Sequence, residues 1–360
     1  MKILIYGAGV QGSVIAARLY AAGHEVSLLA RGRRLADLRE HGIVLEDART
    51  GIRSTTTVPL VEALAPTEAY DLIVVCMRKN QVADVLPVLA ANKATPAVLF
   101  LGNNAAGPDA YAAALGRERV LFGFTTVGGT REGHIVRHTG GAQRIRLVIG
   151  ELNGQVTPRL REIVDAFADG GIDVVISPAI DAWLKAHAAL VLPLAGAVYA
   201  AGGDIYRAGH TRDAITLAVR AAREGFQALR ALGFPLVPAA IQVYRWLPEP
   251  LLVLLLSRLA RTAMAELAVA SHANAARDEM AALDAECRVL FRRAGTPTPA
   301  WEQIMRYVDS TIPILPEGSA ALPLDWRGVW LLAGGLLGIL LLVVALPVLL
   351  KPWRSVRRCR

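Results

Sequence analysis

Residues 7–12 have the types and spacing of a turn that binds phosphate. They read Gly-Ala-Gly-Val-Gln-Gly, follow the short apolar run 1–6, and precede an alanine-rich pattern at 13–22. In a strand–turn–helix unit the first glycine permits the tight turn, the second lets the backbone approach the phosphates, and the third lets the helix pack on the strand. Free N–H groups at the helix N-terminus attract the anion. We predict a dinucleotide-binding turn, against the alternative of a glycine-rich turn without a ligand. Its cofactor-binding residues would be Gly7, Gly9, Val10, Gln11 and Gly12.

Basic residues after the second predicted strand indicate which dinucleotide to expect. The strand pattern at 24–30 is followed by Arg-Gly-Arg-Arg at 31–34, and no carboxylate occurs before Asp37. An acidic residue at this point binds the ribose 2′-hydroxyl of NAD, whereas an arginine suits the 2′-phosphate of NADP. We therefore expect NADPH as the cofactor and Arg31 as the contact to its 2′-phosphate. The alternative is a solvated basic loop.

The elements that would position these residues follow from the hydrophobic pattern. The near-continuous apolar runs at 71–77 and 97–102 are typical of parallel strands that are buried on both faces. Further strands are predicted at 144–149 and 172–176. The fold class is therefore α/β, with an N-terminal Rossmann-like doubly wound parallel sheet.

Long helices replace strands after residue 182, and they predict an all-α second domain. One helix is predicted at 213–232, ended by Gly233, and a helical stretch at 266–294, ended by Gly295. The predicted organisation is an NADP-binding domain at 1–178, a helical substrate and dimerisation domain at 179–312, a linker at 313–328, a transmembrane-type helix at 329–350 and a basic tail at 351–360.

The segment 330–350 contains no charged residue. About 20 apolar residues are enough to cross a bilayer as a helix, and Trp326, Trp330 and Trp353 lie at its two ends, where interfacial tryptophans are expected. We predict a C-terminal transmembrane-type helix at 329–350 and a membrane as a partner. The alternative is a buried core helix.

The basic character of the chain comes largely from its last residues. The formal net charge is +8, and five positive charges follow the apolar segment, at positions where anionic lipid would attract them. No basic patch interleaved with aromatic residues occurs elsewhere, so we expect no nucleic-acid partner. The three cysteines, Cys76, Cys287 and Cys359, have the spacing of neither a metal site nor a disulfide framework. This pattern fits a reducing compartment.

The orientation of the tail stays open. The positive-inside tendency would place the basic tail in the cytoplasm and the body outside, away from reduced NADP. We give priority to the cofactor and expect a cytoplasmic body attached to the membrane by 329–350. Three arrangements stay open. The segment would cross the membrane as a late-inserting anchor against the charge bias, enter the membrane and return to the same side, or lie buried against a partner.

Several spaced motifs together resemble the ketopantoate reductase family (2-dehydropantoate 2-reductases) over residues 1 to about 310. The glycine turn and Arg31 are followed by Arg78 in Met-Arg-Lys-Asn-Gln, and by Asn103 in Leu-Gly-Asn-Asn, which is similar to the family's L-Q-N-G turn. Lys185 stands in Trp-Leu-Lys, similar to the family's W-x-K-L. Glu279 begins Glu-Met-Ala-Ala-Leu-Asp, ahead of a Gly-Thr-Pro-Thr-Pro turn.

The resemblance implies an NADPH-dependent reductase of a 2-oxo acid, with a small-molecule carbonyl substrate and a homodimer as a possible assembly. Arg78 would contact the cofactor phosphate, and Asn103 would lie near the nicotinamide and the substrate. Lys185 would be the catalytic general acid, because an ammonium stabilises the charge that grows on the carbonyl oxygen and donates a proton to it. Glu279 would bind a substrate hydroxyl. His187, two residues after Lys185, is interpreted as a packing residue.

Departures from the family pattern leave the substrate open. Ala189, Pro193 and Ala263 stand where the family carries polar residues, and about four extra residues lie at 271–274. A site with fewer hydrogen-bonding groups discriminates less sharply between substrates, so we expect a more apolar pocket. Two other functions stay open: a non-catalytic NADP-binding, membrane-associated protein, and a dehydrogenase that oxidises a hydrophobic alcohol or amine.

Overall fold

The apolar runs of the N-terminal half pair into one eight-stranded sheet in the computed structural model, which describes residues 1–139, 145–331 and 333–334. The strands are β1 (Lys2–Tyr6), β2 (Glu25–Leu29), β3 (Ile43–Asp47), β4 (Arg53–Thr56), β5 (Leu60–Val61), β6 (Leu72–Val75), β7 (Val98–Leu101), β8 (Val120–Thr125), β9 (Gly129–Glu132), β10 (Ile135–His138), β11 (Ile145–Glu151) and β12 (Ile172–Ile176). The large sheet has the order β12-β11-β8-β7-β6-β1-β2-β5. The predicted α/β class with a Rossmann-like parallel sheet is confirmed.

Parallel pairing dominates the part of the sheet that carries the predicted site. β1 lies between β2 and β6, β6 pairs with β7, and β7 pairs with β8, all in parallel. Every residue of β6 and β7 is buried, as the continuous apolar runs predict. Within the described part of this large sheet, only β8 and β11 pair antiparallel. The carboxyl ends of β1, β6, β7 and β8 therefore share one edge.

A small second sheet, with the order β4-β3-β10-β9, is an element that the sequence analysis does not predict. Its strands have four or five residues, and all four residues of β4 lie on the surface or half-buried. Such strands lack the apolar runs that marked the large sheet. Burial of Ile43, Leu45 and Val136 attaches this sheet to the same core as α1.

The helices of the described residues concentrate after β12. They are α1 (Val10–Ala21), α2 (Gly32–His41), α3 (Lys79–Val82), α4 (Leu86–Ala91), α5 (Asp109–Leu115), α6 (Pro158–Asp169), α7 (Ile180–Ala200), α8 (Ile205–His210), α9 (Arg212–Ala231), α10 (Val243–Trp246), α11 (Glu249–Ala260), α12 (Ala263–Ala265), α13 (Ser271–Ala275), α14 (Arg277–Ala294) and α15 (Pro299–Met305). A π-helical segment, Glu266–Ala270, joins α12 to α13. α9 lies within one residue of its predicted bounds.

Helix α7 forms the centre of the helical half and packs against α9, α14 and α15. Among the described residues it alone is long and apolar enough to span a membrane, but 72% of its most apolar window is buried inside the protein. That burial is typical of a core helix in a folded domain.

The helical stretch predicted at 266–294 is broken in the structure. Ala276 leaves the helical conformation, with φ −131° and ψ 38°, and α14 begins after it. Side chains from elsewhere donate to carbonyl groups near the break: Tyr199 donates to Ala273, and Arg78 donates to Ala275. The break redirects α14, which carries Glu279, toward the edge of the large sheet.

Residues 313–328, predicted as a linker, are docked on the helical half. The carboxylate of Asp213 accepts hydrogen bonds from the amides of Ala321 and Leu322, and Glu249 accepts one from the amide of Asp325. Of the predicted transmembrane-type helix, only 329–331 and 333–334 are described, and the basic tail 351–360 lies outside the described residues.

Candidate active site

The glycine turn follows β1, and of Gly7, Gly9 and Gly12 only Gly9 has free space beside its Cα. Gly7 has φ +115°, which favours glycine, and a Cβ there would lie 2.5 Å from the carbonyl oxygen of Cys76. A Cβ on Gly12 would lie 1.9 Å from the carbonyl oxygen of Gly7, whereas a Cβ on Gly9 would meet nothing within 4 Å. Gly9 is also the N-cap of α1, and no side chain caps it. The space at Gly9 and the uncapped helix N-terminus fit a dinucleotide pyrophosphate.

Two arginines after β2 have different environments. The guanidinium of Arg34 is buried and donates to the carbonyl of Ala8 at 3.0 Å, to Ser13 Oγ at 3.1 Å and to the carbonyl of His134 at 3.1 Å. Burial lowers the pKa of Arg34. Arg31 is exposed and donates to Tyr6 Oη at 2.9 Å. Arg34 thus holds the glycine turn, while Arg31 keeps surface on which a phosphate can bind.

The turn after β6 contacts the helical half. Arg78 donates to Asp278 Oδ1 at 3.1 Å and to the carbonyl of Ala275 at 2.5 Å, and Asn80 donates to Asp278 Oδ2 at 2.8 Å. The hydrogen bond from Asn80, with the charge of Arg78, holds the pKa of Asp278 below its usual value. In this structure Arg78 joins the two halves, and its predicted contact to a cofactor phosphate stays a prediction.

Asn103 and Glu279 meet between the two halves of the chain. Asn103 Nδ2 donates to Glu279 Oε1 at 3.4 Å, and the amide of Lys79 donates to the same oxygen at 3.2 Å. Both side chains are buried. Asn103 Oδ1 has no hydrogen-bond partner among the described residues, and a buried acceptor left unpaired is costly. The atom is therefore available to a donor on a ligand.

His272 adds a titratable group that sequence reasoning did not single out. Its Nε2 lies 3.6 Å from Glu279 Oε2, and its side chain is 42% exposed. The histidine stands in α13, within the 271–274 segment where the chain departs from the family pattern. An imidazole beside a buried carboxylate can serve as a proton donor.

Glu286 is a second site residue that the sequence analysis missed. One oxygen accepts hydrogen bonds from the amides of Ala105 and Ala106, and the other lies 3.3 Å from Lys79 Nζ. Burial lowers the pKa of Lys79, but Tyr111 and Glu286 together raise it above its usual value. The signal available in the sequence was spacing, because Glu286 follows Glu279 by two helical turns on the same face.

Lys185 is buried, with 3% of its side chain exposed, but its ammonium does not join the Asn103–Glu279 pair. It binds Asp181 one turn earlier on α7 and lies 4.9 Å from the centre of the Phe234 ring. It also lies beside Gly107, at the end of the loop that begins with Asn103. The structure thus brings together Asn103 and Glu279, and places Lys185 at the opposite end of this loop.

Ala189 and Pro193, where the family pattern has polar residues, are packed inside the helical half. Both are buried within α7, and Ala189 lies on the face toward α9, where a Cβ on Gly225 would lie 3.1 Å from it. Helical periodicity places Ala189 on the same face as Lys185. The expectation of a more apolar substrate pocket therefore stays a prediction. Ala263 is exposed at the start of α12.

On the opposite face of α7, Trp183 and His187 form an aromatic cluster with Phe124 of β8. The rings of Trp183 and His187 are stacked at 5.2 Å, and Phe124 lies 4.1 Å from His187. Burial, with the charge of His272, lowers the pKa of His187 to about 4. His187 is therefore neutral near pH 7 and packs as the sequence analysis expected. The cluster lies at the carboxyl end of β8, the parallel neighbour of β7, and Asn103 stands in the turn that follows β7.

Residues 3–154, which include the glycine turn, Arg31, Arg78 and Asn103, match the family model described as ketopantoate reductase PanE/ApbA. By this match, residues 3–154 are similar to the ketopantoate reductase family. Ketopantoate reductases are oxidoreductases that act on CH–OH groups. The resemblance recognised in the sequence is confirmed.

Two curated relatives share less than 30% of their residues with the chain over the aligned part. The chain is 28% identical over 192 residues to the uncharacterised oxidoreductase YkpB of Bacillus subtilis, an alignment that covers 51% of this chain and 61% of YkpB. It is 26% identical over 238 residues to a 2-dehydropantoate 2-reductase of Archaeoglobus fulgidus, covering 65% and 75% of the two chains. The match with YkpB thus spans less than two thirds of that protein.

Solved structures share the fold over most of the chain. A 2-dehydropantoate 2-reductase from Geobacter metallireducens GS-15 has a TM-score of 0.71 at 18% identity and covers 87% of this chain and 100% of its own. D-mandelate dehydrogenase, in a ternary complex with NADH and anilino(oxo)acetate, has a TM-score of 0.71 at 18% identity, covering 86% and 98%. At these identities the likeness shows the ketopantoate reductase fold.

Proposed function

We propose that this ketopantoate reductase-like chain is an NADPH-dependent reductase of a 2-oxo acid. The observation that carries the proposal is the buried Asn103–Glu279 pair with its free Asn103 Oδ1. The pair lies at the end of β7, two strands from the glycine turn at the end of β1. β1, β6 and β7 are parallel, so the two features lie on the same edge of the sheet, where open α/β folds bind their ligands. Neighbouring strands are about 4.8 Å apart, so the two features are also close to each other. A dinucleotide and a small carbonyl compound fit that edge.

The cofactor proposal is NADPH. The relative in complex with NADH binds a nicotinamide dinucleotide, and Arg31, exposed beside β2, supports the 2′-phosphorylated form in this chain. Gly9 leaves room for the pyrophosphate, and Arg34 holds the turn around it.

A bound NADPH would supply hydride to the carbonyl carbon. The residues of the chain would orient the substrate and provide the proton. Glu279 accepts a hydrogen bond from a substrate hydroxyl, and the amide of Asn103 holds the carbonyl group or orients the acid. Lys185 is our first candidate for that acid, and its side chain would leave Asp181 to reach the carbonyl oxygen. His272 is the second candidate, because its imidazole already lies beside Glu279.

The deciding experiment follows NADPH oxidation by the full chain with ketopantoate and with a panel of bulkier and aryl-substituted 2-oxo acids. Lys185→Met is compared with His272→Gln, and Lys93→Met at an exposed position is the matched control. Loss of the general acid should lower kcat by about 10²–10⁴-fold and leave NADPH binding unchanged. Full activity of Lys185→Met would remove the lysine from this role, and a loss confined to His272→Gln would transfer it to the histidine.

The same experiment tests the other functions. NADPH binding without turnover of any compound in the panel would refute the reductase proposal and favour a non-catalytic NADP-binding protein. Turnover only of a hydrophobic alcohol or amine with the oxidised cofactor would favour the dehydrogenase.

We infer from the sequence that 329–350 attach the protein to a membrane, with the body on the cytoplasmic side. The absence of charge over 330–350 and the cationic residues after it support this inference. Flotation of the full chain with lipid vesicles, compared with a variant carrying Leu340→Arg and Leu342→Arg in the segment, tests it. Equal flotation of the two proteins would contradict it.

A further inference from the structure

Helix α11 presents an apolar stripe to solvent. Leu251, Leu254, Leu255 and Leu259 are 39%, 47%, 42% and 51% exposed, and their spacing places them on one helical face. The opposite face is buried, as Val253 shows with 3% exposure. α11 is therefore apolar on both faces, and only one of them is covered by the described part of the protein.

Further exposed apolar residues adjoin the stripe. Trp246, at the end of α10, is 70% exposed and precedes α11 by three residues. Residues 325–331 run beside it, because the amide of Asp325 bonds to Glu249 and Gly328 packs on Pro248. These segments and the stripe together form what we name the α11 face. It consists of Trp246, Leu251, Leu254, Leu255, Leu259, Trp326, Trp330 and Leu331, and the last three are 50%, 70% and 77% exposed.

Such a face needs an occupant, since soluble monomers rarely expose a contiguous apolar patch of this kind. The charges around it are cationic. Arg258 lies within the stripe, Arg261 follows α11, Arg327 lies between Trp326 and Trp330, and Arg245 stacks on the ring of Trp246 at 4.7 Å. A cavity of about 990 Å³ behind the face is lined by Arg230, Arg245, Trp246 and Leu331 among others.

The neighbouring carboxylates are already engaged. Glu249 accepts two hydrogen bonds from Arg220 and lies 3.9 Å from Arg223, and Asp325 accepts one from the amide of Arg327. Two copies of the face in a symmetric dimer would therefore bring their arginines together, and like charges across an interface are unfavourable. An anionic partner suits the face better.

The chain that leaves the face points to the nature of this partner. Residues 332–350 follow Leu331 without a charge, and the next charged residue is Lys351. Tryptophans at the boundary between apolar and polar regions and arginines beside them are typical of the membrane interface. We propose that the α11 face rests on an anionic lipid bilayer, with its leucines among the acyl chains and its arginines at the headgroups. The folded body thus makes a membrane contact of its own, beyond attachment through the C-terminal segment.

Depth-dependent quenching tests the contact separately from the tail. A bimane probe is placed on the full chain at Leu254→Cys, or at Ile52→Cys as an exposed apolar control in the β3–β4 turn, both with Cys359→Ser. The native Cys76 and Cys287 are buried. Each protein is added to phosphatidylcholine–phosphatidylserine vesicles that contain doxyl-labelled lipid, and NADPH binding is measured to verify that the fold is intact.

We expect a loss of roughly twofold or more in bimane emission at position 254 and none at position 52, because an interfacial helix lies about 5–10 Å into the bilayer. Leu251→Glu with Leu255→Glu in the first protein should remove the quenching. Equal emission with and without the quencher, in protein that floats with the vesicles, would overturn the proposal. So would a probe at 254 that is already shielded before lipid is added, since a second copy or the C-terminal segment would then cover the face.

Discussion

Alanine substitutions at Gly9 and Gly12 should separate cofactor binding from folding within a single turn. A Cβ at position 9 meets no atom within 4 Å, whereas a Cβ at position 12 would lie 1.9 Å from the carbonyl oxygen of Gly7. Backbone atoms cannot rotate away as a side chain can. The two variants add the same methyl group three residues apart, but Gly12→Ala should lose stability and Gly9→Ala should lose affinity for NADPH.

The expected magnitudes follow from these contacts. Gly12→Ala gains about 1 kcal/mol in helix propensity but meets a steric cost above the usual range of about 1–3 kcal/mol. We expect a net loss of about 2 kcal/mol, which lowers the Tm by roughly 4–8 °C. Gly9→Ala changes an N-cap and should cost less than about 1 kcal/mol in stability. If a phosphate approaches the backbone there, losing a hydrogen bond to a charged group costs about 1.5–3 kcal/mol, or roughly a 10–100-fold higher Kd for NADPH.

Both quantities are measured on the same samples. Thermal unfolding followed by circular dichroism gives the Tm, and titration of nicotinamide fluorescence gives the Kd. The reasoning fails if Gly9→Ala binds NADPH as the wild type does, because the open space would then not hold the pyrophosphate. It also fails if Gly12→Ala melts at the wild-type temperature.

Three further predictions address other parts of the site. Arg31→Ala should raise the Kd for NADPH by about tenfold or more and leave that for NADH unchanged, with Arg33→Ala as the exposed control; an equal effect on both dinucleotides would contradict the 2′-phosphate contact. The pKa of about 4 for His187 lies below its ordinary value of 6.5, so the stability it contributes is complete above pH 6.5 and is lost as the pH falls toward 4; wild-type protein should lose more Tm between pH 7 and pH 5 than His187→Phe, and parallel losses would disprove the assignment. Glu286→Gln should lower the free energy of unfolding by about 1–3 kcal/mol, because the buried ammonium of Lys79 loses the carboxylate that pairs with its charge. It should also raise the KM for the substrate. A KM that stays constant would show that Glu286 is not part of the site.

The elements that the sequence predicted well are those with a strong apolar pattern. β6 and β7 are continuous apolar runs, and only a central parallel strand satisfies such a run, so their positions were predicted to within about two residues. β4, with Arg53 and three hydroxyl residues, carries no apolar signal and was missed. The break at Ala276 was missed for another reason: the donors that satisfy the carbonyls of Ala273 and Ala275 come from Tyr199 and Arg78, far away in the sequence.

The sequence predicted the site residues whose role depends on the backbone. It predicted less well those whose role depends on the direction of the side chain. Gly7 and Gly12 are required by close approach of the chain, and the glycine pattern alone indicated both positions. Lys185 is buried, and the sequence motif did not indicate where its ammonium points. The direction of its side chain depends on the ion pair with Asp181. The sequence around Lys185 does not show which face of α7 lies toward the edge of the large sheet.

The division of the site between the two halves of the chain has a kinetic consequence. The glycine turn and Arg34 belong wholly to the N-terminal half, so a dinucleotide can dock while the halves are apart. The Asn103–Glu279 pair exists only when α14 closes on the β7 turn. With Asn103 and Glu279 as the proposed substrate site, we expect that site to form after the dinucleotide has docked and to open before it leaves. Turnover should follow a compulsory sequence in which the dinucleotide arrives first and departs last.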